Sequence, residues 1–310
     1  MTSNRIAPSN MPIKIAILTH AKQKFEKTPY LLHILIGFWT KMGIEVVILR
    51  GIEHFEPADI LFMHIDLTVI PDNYLAFSER YPVVINGRVR TISKRKISSN
   101  IITISDGYNG RVLVKTDLNF GGGMERRLAR NKPVARLVDS IKKRLPWYLS
   151  GYLTPDNYPI YESPMEVPSA VWWNKNLVVE KFLPEREDDH YCLRQWVFMG
   201  KSEMSQKTVS SHPIVKASNI IRRETGIAIP DSLRQARADM GFDYGKFDFV
   251  MVEDQAVLLD ANRTPSFNPN NASQTKMDLL KSLAAGLPSL VHIRPTVQAF
   301  INPDNKETIA

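Results

Sequence analysis

The first ninety residues alternate between short apolar runs and longer amphipathic stretches. The apolar runs are of strand length and cover residues 14–20, 45–50, 58–66 and 81–87. Runs that are apolar throughout are typical of strands buried on both faces of a parallel sheet. The apolar spacing after the first run predicts a helix with Thr28 as its N-cap, Pro29 as its first position and Gly43 as its stop, and Pro71 leads a second helix. The pattern predicts an α/β lobe over residues 12–90.

The loop after the first apolar run excludes the common dinucleotide motif. Residues 19–25 read THAKQKF and contain no glycine. The dinucleotide fingerprint needs glycines there, for a tight turn and for close approach of the pyrophosphate. The chain also lacks a Walker A pattern. This lobe therefore carries no signature of NAD, FAD or P-loop binding.

Two later segments place a basic residue on a strand. Lys115 lies on a β-branched strand, and three glycines, Gly121 to Gly123, follow it. Backbone N–H groups of a glycine loop can approach phosphates, and the lysine supplies a positive charge; a flexible turn is the alternative. Residues 191–211 predict a hairpin that presents Arg194 and Lys207 from its two strands.

The hairpin predicted over residues 245–265 carries two carboxylates. If Val252 pairs with Ala256, then Asp248 lies opposite Asp260, whereas a two-residue turn would shift this register by one. Asn262 and Lys246 lie two residues from an aspartate and share its face. Such hard oxygen ligands suit Mg²⁺ that bridges nucleotide phosphates. The alternatives are an ordinary hairpin and a structural Asp–Lys pair.

The charge of the chain is concentrated in two segments. The 310 residues carry a net charge of +8, of which residues 124–144 hold +6 and residues 86–98 hold +5. Such concentrated positive charge favours an anionic partner, with at least one small anionic substrate. Nucleic acid is not the expected partner.

One stretch offers a different interpretation of the charge. Val134, Leu137, Val138, Ile141 and Leu145 follow helical spacing, with a basic opposite face. Basic amphipathic helices bind membranes or polyanions. The favoured interpretation is a helix that packs on the domain with its basic face in water.

The cysteine count and the absence of targeting patterns predict a cytoplasmic protein. Cys192 is the only cysteine, which excludes a disulfide scaffold and a multi-cysteine metal site. No stretch predicts a signal peptide or a membrane span, and residues 1–11 predict a loose tail. The histidines show no ligand spacing. A homodimer is compatible with the sequence.

The ordered motifs resemble the ATP-grasp superfamily, and within it D-alanine–D-alanine ligase and glutathione-synthetase-like carboxylate–amine ligases. The match runs from about residue 14 to residue 265. LLDANRTP, residues 258–265, resembles the family's leucine-acid-x-Asn-x-x-Pro metal motif, and GKFDFV, residues 245–250, resembles the strand with the other metal carboxylate. The resemblance implies an α/β (α+β) ATP-grasp fold with an N-terminal Rossmann-like pre-grasp lobe.

The resemblance also implies roles for individual residues. Asp248, Asp260 and Asn262 would be the metal ligands. Glu180, in VVEKFLP, would accept the exocyclic amine of adenine. The other implied ATP contacts are the backbone of Lys181 and Leu183, the lysines Lys94 (with Lys96 as a rival), Lys115 and Lys207, the phosphate loop Gly121, Gly122 and Gly123, and a ribose carboxylate, Glu187, with Asp188 and Asp189 as rivals. The implied catalytic residues are Lys246, Arg263 and Arg194.

The activity implied is an ADP-forming ligase that joins a carboxylate to an amine through an acyl phosphate. Its cofactors would be ATP and two Mg²⁺ ions, with Mn²⁺ as an alternative. Two departures from the family are Asp260, where glutamate is usual, and Lys246, where arginine is common. The rival hypotheses are an ATP-grasp kinase with a small anionic acceptor and a non-catalytic polyanion-binding protein.

The expected domain division has three parts after the tail. Residues 12–90 form the pre-grasp domain, and residues 91–185 form the small ATP-grasp subdomain with a basic insertion. Residues 186–310 form the C-terminal subdomain with the metal hairpin.

Overall fold

The computed structural model describes residues 12–129, 133–154, 157–268 and 273–290. The predicted tail, residues 1–11, lies outside the described residues. The strands are β1 (Lys14–Thr19), β2 (Glu45–Arg50), β3 (Ile60–Met63), β4 (Val84–Ile85), β5 (Ile101–Ile102), β6 (Val112–Thr116), β7 (Ile160–Tyr161), β8 (Leu177–Lys181), β9 (Glu185–Glu187), β10 (His190–Met199), β11 (Ser202–Ser210), β12 (Ile220–Thr225), β13 (Tyr244–Val252) and β14 (Gln255–Asn262). The helices are α1 (Leu31–Lys41), α2 (Asp72–Ser78), α3 (Lys94–Ile97), α4 (Gly123–Ala129), α5 (Pro133–Lys142), α6 (Trp147–Ser150), α7 (Ser169–Trp173), α8 (Asp231–Met240) and α9 (Gln274–Ala284).

The N-terminal lobe is the predicted parallel sheet, with strand order β2-β1-β3-β4. Its central strands alternate between two cores. Ile15 and Ile17 pack in the same core as Leu35 of α1, whereas Ala16 packs with Phe77 of α2 on the other face. Burial on both faces explains why these strands are apolar throughout.

The first helix begins later than predicted. Helix α1 starts at Leu31, and Tyr30 occupies the N-cap position. The chain before it is held by the C-terminal part of the molecule, since Leu31 N–H donates to the Pro265 carbonyl at 2.8 Å and Phe267 N–H donates to the Pro29 carbonyl at 2.7 Å. A pairing between distant segments therefore overrides the local helix-start signal.

Two antiparallel sheets form the rest of the molecule. The smaller has the order β5-β8-β6-β7, and the larger has the order β12-β11-β10-β13-β14, with β9 paired to β10. One face of the larger sheet packs a core that includes Trp196, Phe198, Phe247 and Phe249 against α8. The other face carries the candidate site.

Buried polar contacts join the N-terminal lobe to the larger sheet. Asn86 is fully buried with φ of 60°, and its side-chain amide donates to the Tyr244 carbonyl at 2.8 Å. Asn86 Oδ1 accepts from the N–H groups of Asp243 and Tyr244. The Trp39 indole N–H donates to the Ala284 carbonyl at 3.0 Å.

The basic amphipathic segment does not pack as expected. Helix α5 forms as the spacing predicted, but Val134, Leu137, Val138 and Ile141 are exposed, as is Leu145 after it. The favoured interpretation, an apolar face packed on the domain, is therefore wrong. Within the part of the chain that the structure describes, no helix has the length and apolar character needed to cross a membrane.

Candidate active site

The carboxylate pair is built by a bulge in the hairpin β13–β14. Val252 pairs with Gln255, so the turn has two residues, Glu253 and Asp254, both with positive φ as in a type I′ turn. The expected pairing of Val252 with Ala256 is wrong. The register shifts between Asp248 and Phe249, where β14 contributes one extra residue, and this shift restores Asp248 opposite Asp260.

The bulge also decides which side chains reach the cleft. Leu258 pairs with Phe249 in the hydrophobic core, whereas Asp260, two residues later, pairs with Asp248 on the other face. Without the extra residue at Leu259, residues 258 and 260 would share one face. The hairpin therefore keeps a complete core on one side and presents two carboxylates on the other.

Each carboxylate is paired with a lysine. Lys246 Nζ lies 2.9 Å from Asp248 Oδ2, and Lys94 Nζ lies 3.2 Å from Asp260 Oδ1. Burial lowers the pKa of both lysines and the aspartates raise it; the net result is a pKa above the ordinary lysine value. Both lysines are therefore charged at neutral pH. Of the two rivals, Lys94 is buried at the carboxylates and Lys96 is exposed.

The candidate metal ligands offer hard oxygen donors. Asp248 Oδ1 accepts from Gln195 Nε2 at 2.9 Å, and Asn262 Oδ1 accepts from the Thr264 N–H at 2.8 Å. Among the described residues, no group of three or more His, Cys, Asp or Glu side chains could hold a metal ion. The set is instead two carboxylates and an amide, and its oxygens fit a divalent cation of the Mg²⁺ type by donor chemistry.

A cleft at the predicted hinge lies between the two antiparallel sheets. Its empty volume is about 520 Å³. Lys115 and Glu180 line it from the smaller sheet, and Val250 and Leu259 line it from the larger sheet. Apolar walls on one side and a charged pair on the other are typical of a small-molecule site.

The buried pair at the hinge leaves acceptor capacity unused. Lys115 Nζ lies 2.7 Å from Glu180 Oε2, and both side chains are buried. Glu180 Oε1 is buried and has no hydrogen-bond partner among the described residues. An acceptor of this kind requires a donor, because an unpaired buried oxygen costs about 1–3 kcal/mol.

A second cleft lies beside Lys246. Its empty volume is about 560 Å³, and it lies between the larger sheet, the N-terminal lobe and α9. It is lined by Leu31, Gln195, Val197, Met204, Ser205, Gln206, Lys246, Pro265, Ser266, Phe267, Lys276 and Leu280. Its polar residues are therefore amides, hydroxyls and lysines.

Strand β13 connects the two clefts. Lys246 lines the second cleft, Val250 lines the hinge cleft, and Asp248 lies between them on the same face. Residues two apart on a strand are separated by about 7 Å. The carboxylates thus lie where the contents of the two clefts would meet.

Arg194 and Lys207 lie on the other face of the sheet. In the strand register, Arg194 lies opposite Lys207 on one neighbouring strand and opposite the core residue Phe249 on the other. Gln195 lies opposite Asp248. Glu185 accepts from Arg194 through both oxygens, at 2.7 to 2.9 Å. The structure therefore does not bring these two cations to the carboxylates.

Glu187 is also engaged away from the hinge cleft. Its carboxylate lies 2.7 Å from Lys207 Nζ and pairs with Arg222. It is not among the described residues that line the hinge cleft. Leu183, by contrast, lines that cleft, and its N–H has no hydrogen-bond partner in the described chain. The Lys181 N–H donates to the Asn100 carbonyl at 2.9 Å.

Arg263 does not reach the cleft, and its expected catalytic role is corrected. The side chain is fully buried, and burial lowers the pKa of its guanidinium to about 10. The guanidinium donates to backbone carbonyls of the N-terminal lobe, those of Ile65, Leu67, Thr68 and Val89. All three of its nitrogens are thus used to hold the lobes together.

The segment that carries the three glycines is anchored to the N-terminal lobe by Asn119. Gly121 and Gly122 have positive φ, and a Cβ on Gly122 would lie 2.6 Å from Leu118 Cδ1. Asn119 anchors the segment, since its side-chain amide donates to Asp66 at 2.9 Å and its N–H donates to Thr68 Oγ1 at 2.7 Å. Gly121, Gly122 and Gly123 are not among the described residues that line the hinge cleft.

The sequence analysis missed the residue that orients Asp248. Gln195 Nε2 donates to Asp248, and Gln206 Nε2 donates to Gln195 Oε1. The three residues lie side by side on adjacent strands. The sequence places Gln195 next to Arg194 in a predicted strand. It does not show which strand lies beside that one, so the contact of Gln195 with Asp248 could not be predicted.

Several solved structures resemble the chain at low sequence identity. No protein-family model and no curated protein sequence matches it. Matching solved structures include an ATP-grasp RimK domain protein from Sphaerobacter thermophilus DSM 20745 (12% identity, TM-score 0.48, covering 88% of this chain and 99% of that one). They also include D-alanine–D-alanine ligase from Bacillus anthracis (12%, 0.45, 87% and 96%) and D-cycloserine synthetase DcsG (14%, 0.43, 88% and 99%). The solved structures that resemble the chain include an ATP-grasp protein, as the motifs predicted, and at these identities and TM-scores the resemblance carries no conclusion about the family or the activity of the chain.

Proposed function

We propose that this protein is an ATP-dependent ligase that joins a carboxylate to an amine through an acyl phosphate. The observation that supports it is the position of Asp248 and Asp260 between two clefts, each carboxylate paired with a lysine. One cleft would take ATP and the other the acceptor substrates. Two adjoining sites are what a reaction between a nucleotide and a second anion requires.

ATP would bind with its base at the hinge. The free oxygen of Glu180 would accept from the adenine amine, and the Leu183 N–H would donate to a ring nitrogen. Lys115 is within the same cleft and would then pair with phosphate. Lys94 Nζ lies 3.2 Å from Asp260 Oδ1, so it would contact the phosphate oxygens nearest the two aspartates.

Asp248, Asp260 and Asn262 would hold Mg²⁺. When bound, the cation would neutralise phosphate charge and orient the transferred group. The lysines that now pair with the two aspartates would be released to contact phosphate oxygens. Lys246, at the edge of the second cleft, would bind the substrate carboxylate or the oxygens of the acyl phosphate.

The reaction proceeds in two transfers. A carboxylate oxygen of the substrate attacks the γ-phosphorus of ATP, the bond to the bridging oxygen breaks, and ADP leaves. The amine then attacks the acyl carbon, phosphate leaves, and the amine loses a proton to solvent or base. The protein contributes positioning and electrostatic stabilisation, so no covalent enzyme intermediate is needed.

Product analysis over a panel of carboxylates and amines tests the proposal. The expected result is release of ADP and free phosphate only when both substrates are present, with an amide product detected by mass spectrometry. Asp248→Asn is expected to reduce turnover by roughly 10³-fold, whereas Asp254→Asn, in the exposed turn, leaves it unchanged. Phosphate retained on a stable hydroxyl product would assign a kinase instead.

A further inference from the structure

Six large apolar side chains between residues 134 and 149 are exposed to solvent. Their exposed fractions range from 43% to 73%. They are Val134, Leu137, Val138, Ile141, Leu145 and Leu149. We refer to these six residues as the apolar ridge.

The ridge is a concentrated feature. Eight other large apolar side chains are exposed in the described residues, and they are spread from Met42 to Ile221. Single exposed apolar residues are ordinary, but a contiguous patch marks an interaction surface. Six such residues within sixteen positions therefore call for a partner.

The ridge has one apolar face. Val134, Leu137, Val138 and Ile141 are spaced at i, i+3, i+4 and i+7, so they line one side of α5. Leu145 and Leu149, which follow the helix in the chain, are also exposed. The apolar side chains can thus enter one medium together.

The charge beside the ridge is positive. Residues 124–144 hold eight basic and two acidic residues. Lys142 ends α5, and Lys143 and Arg144 follow it. Long basic side chains keep their charge in water while their stems cover apolar surface.

The shape favours a lipid surface over a groove-binding partner. Six described side chains of α5, including its four apolar ones, are exposed, and Lys142 is half-buried. The exposed apolar face of a helix is a convex surface, unlike the groove that holds a peptide. A bilayer interface accepts a convex amphipathic helix and pairs its basic residues with anionic headgroups.

We propose that the apolar ridge and the basic residues beside it bind the surface of an anionic lipid bilayer. The apolar side chains enter the headgroup boundary, and the basic side chains contact lipid phosphates. This inference is independent of the proposed ligase activity, since it uses no residue of either cleft.

Vesicle flotation of the full chain tests the proposal. The probes are vesicles of phosphatidylcholine alone and vesicles of phosphatidylcholine mixed with phosphatidylglycerol. The protein is expected to float with the mixed vesicles only. High salt is expected to weaken the binding, because the screening length falls to about 3 Å at 1 M.

Two variants separate the apolar from the basic contribution. Leu137→Ser with Ile141→Ser is expected to weaken binding by at least about tenfold, whereas Val69→Ser with Ile221→Ser, at two comparably exposed sites, leaves it unchanged. Lys142→Gln with Arg144→Gln is expected to weaken binding by roughly tenfold. Lys22→Gln with Lys41→Gln removes the same charge from the N-terminal lobe and has no effect.

Several outcomes would overturn the proposal. These are failure to float with mixed vesicles, equal flotation with both vesicle types, and binding that Leu137→Ser with Ile141→Ser does not change. A dimer in sedimentation that this variant converts to monomer, without vesicle binding, would assign the ridge to a second copy of the chain. Capture of an acidic amphipathic peptide by the ridge, again without vesicle binding, would assign it to a protein partner. Circular dichroism and urea unfolding show whether each variant is folded.

Discussion

Two segments of this chain carry its net positive charge and use it differently. Residues 86–98 place Lys94 in a buried position against Asp260, whereas residues 124–144 leave their described basic residues half-buried or exposed. The two segments have nearly equal net charge. Net charge alone therefore indicates an anionic ligand. A buried cation with a counter-charge identifies the residue that belongs to a site.

The physical difference lies in the cost of removing a cation from water. A buried ammonium persists only with a counter-charge, because its desolvation otherwise exceeds what packing provides. Asp260 supplies that counter-charge to Lys94. An exposed lysine of α5 needs none, and its charge contributes little to folding.

The largest expected effect is on the free energy of unfolding, and it concerns the buried Arg263. Arg263→Met should lower the free energy of unfolding by about 4 kcal/mol, because buried carbonyls of the N-terminal lobe lose their donors and each costs about 1–3 kcal/mol. Arg144→Met, on the exposed segment, should change it by less than about 0.5 kcal/mol. Urea unfolding at neutral pH measures both, and equal effects would remove the distinction.

A smaller effect is expected for ATP binding. Lys94→Met should weaken ATP affinity by about 10- to 100-fold, since a charge-assisted contact to phosphate contributes about 1.5–3 kcal/mol. Lys142→Met, which removes a lysine from the other basic segment, should leave the affinity unchanged. Calorimetric titration of both variants decides whether the two segments differ in function.

His64 is a buried base without a counter-charge, so the stability of the protein is expected to depend on pH. His64 is fully buried, and burial lowers its pKa to about 3 from an ordinary value of 6.5. Between these two values the unfolded chain binds a proton that the folded chain does not, so stability falls as the pH falls from 6.5 toward 3. The expected loss between pH 7 and pH 5 is about 2 kcal/mol. In His64→Phe this dependence should be reduced by that amount, and an unchanged urea midpoint shift would show that His64 does not carry it.

The smallest effect concerns an anion at the hinge. Glu180→Gln should weaken ATP binding by roughly tenfold and improve GTP binding, because the new amide can donate to a carbonyl where the carboxylate could only accept. Glu187→Gln, away from the cleft, should not change the ratio. Competition between the two nucleotides for the wild-type and variant proteins provides the measurement.

Much of the site was predictable because it depends on local sequence. The motif around Asp260 and the strand around Asp248 are close in the chain, and a hairpin brings them together in either interpretation of the turn. Lys115 and Glu180 both lie on strands predicted from the sequence, whereas the role expected for Glu180 came from the family resemblance. The parallel N-terminal sheet followed from apolar runs alone.

The rest depends on contacts between distant segments. The bulge at Leu259 exists because core packing of Leu258 and pairing of Asp260 demand opposite faces. The placement of Arg194 away from Asp248 follows from the order of strands, which no local pattern encodes. Arg263 lies within the metal motif, yet carbonyls nearly 200 residues away bind its guanidinium.

The proposal that Asp248 and Asp260 hold Mg²⁺ for ATP is tested by calorimetric titration. ATP is titrated with and without Mg²⁺ into the wild-type protein and into the double variant Asp248→Asn with Asp260→Asn. The wild-type protein is expected to bind Mg²⁺–ATP more tightly than metal-free ATP, and the double variant is expected to lose this preference. Equal binding of the two forms by the wild-type protein, or a preference that survives in the double variant, would contradict it.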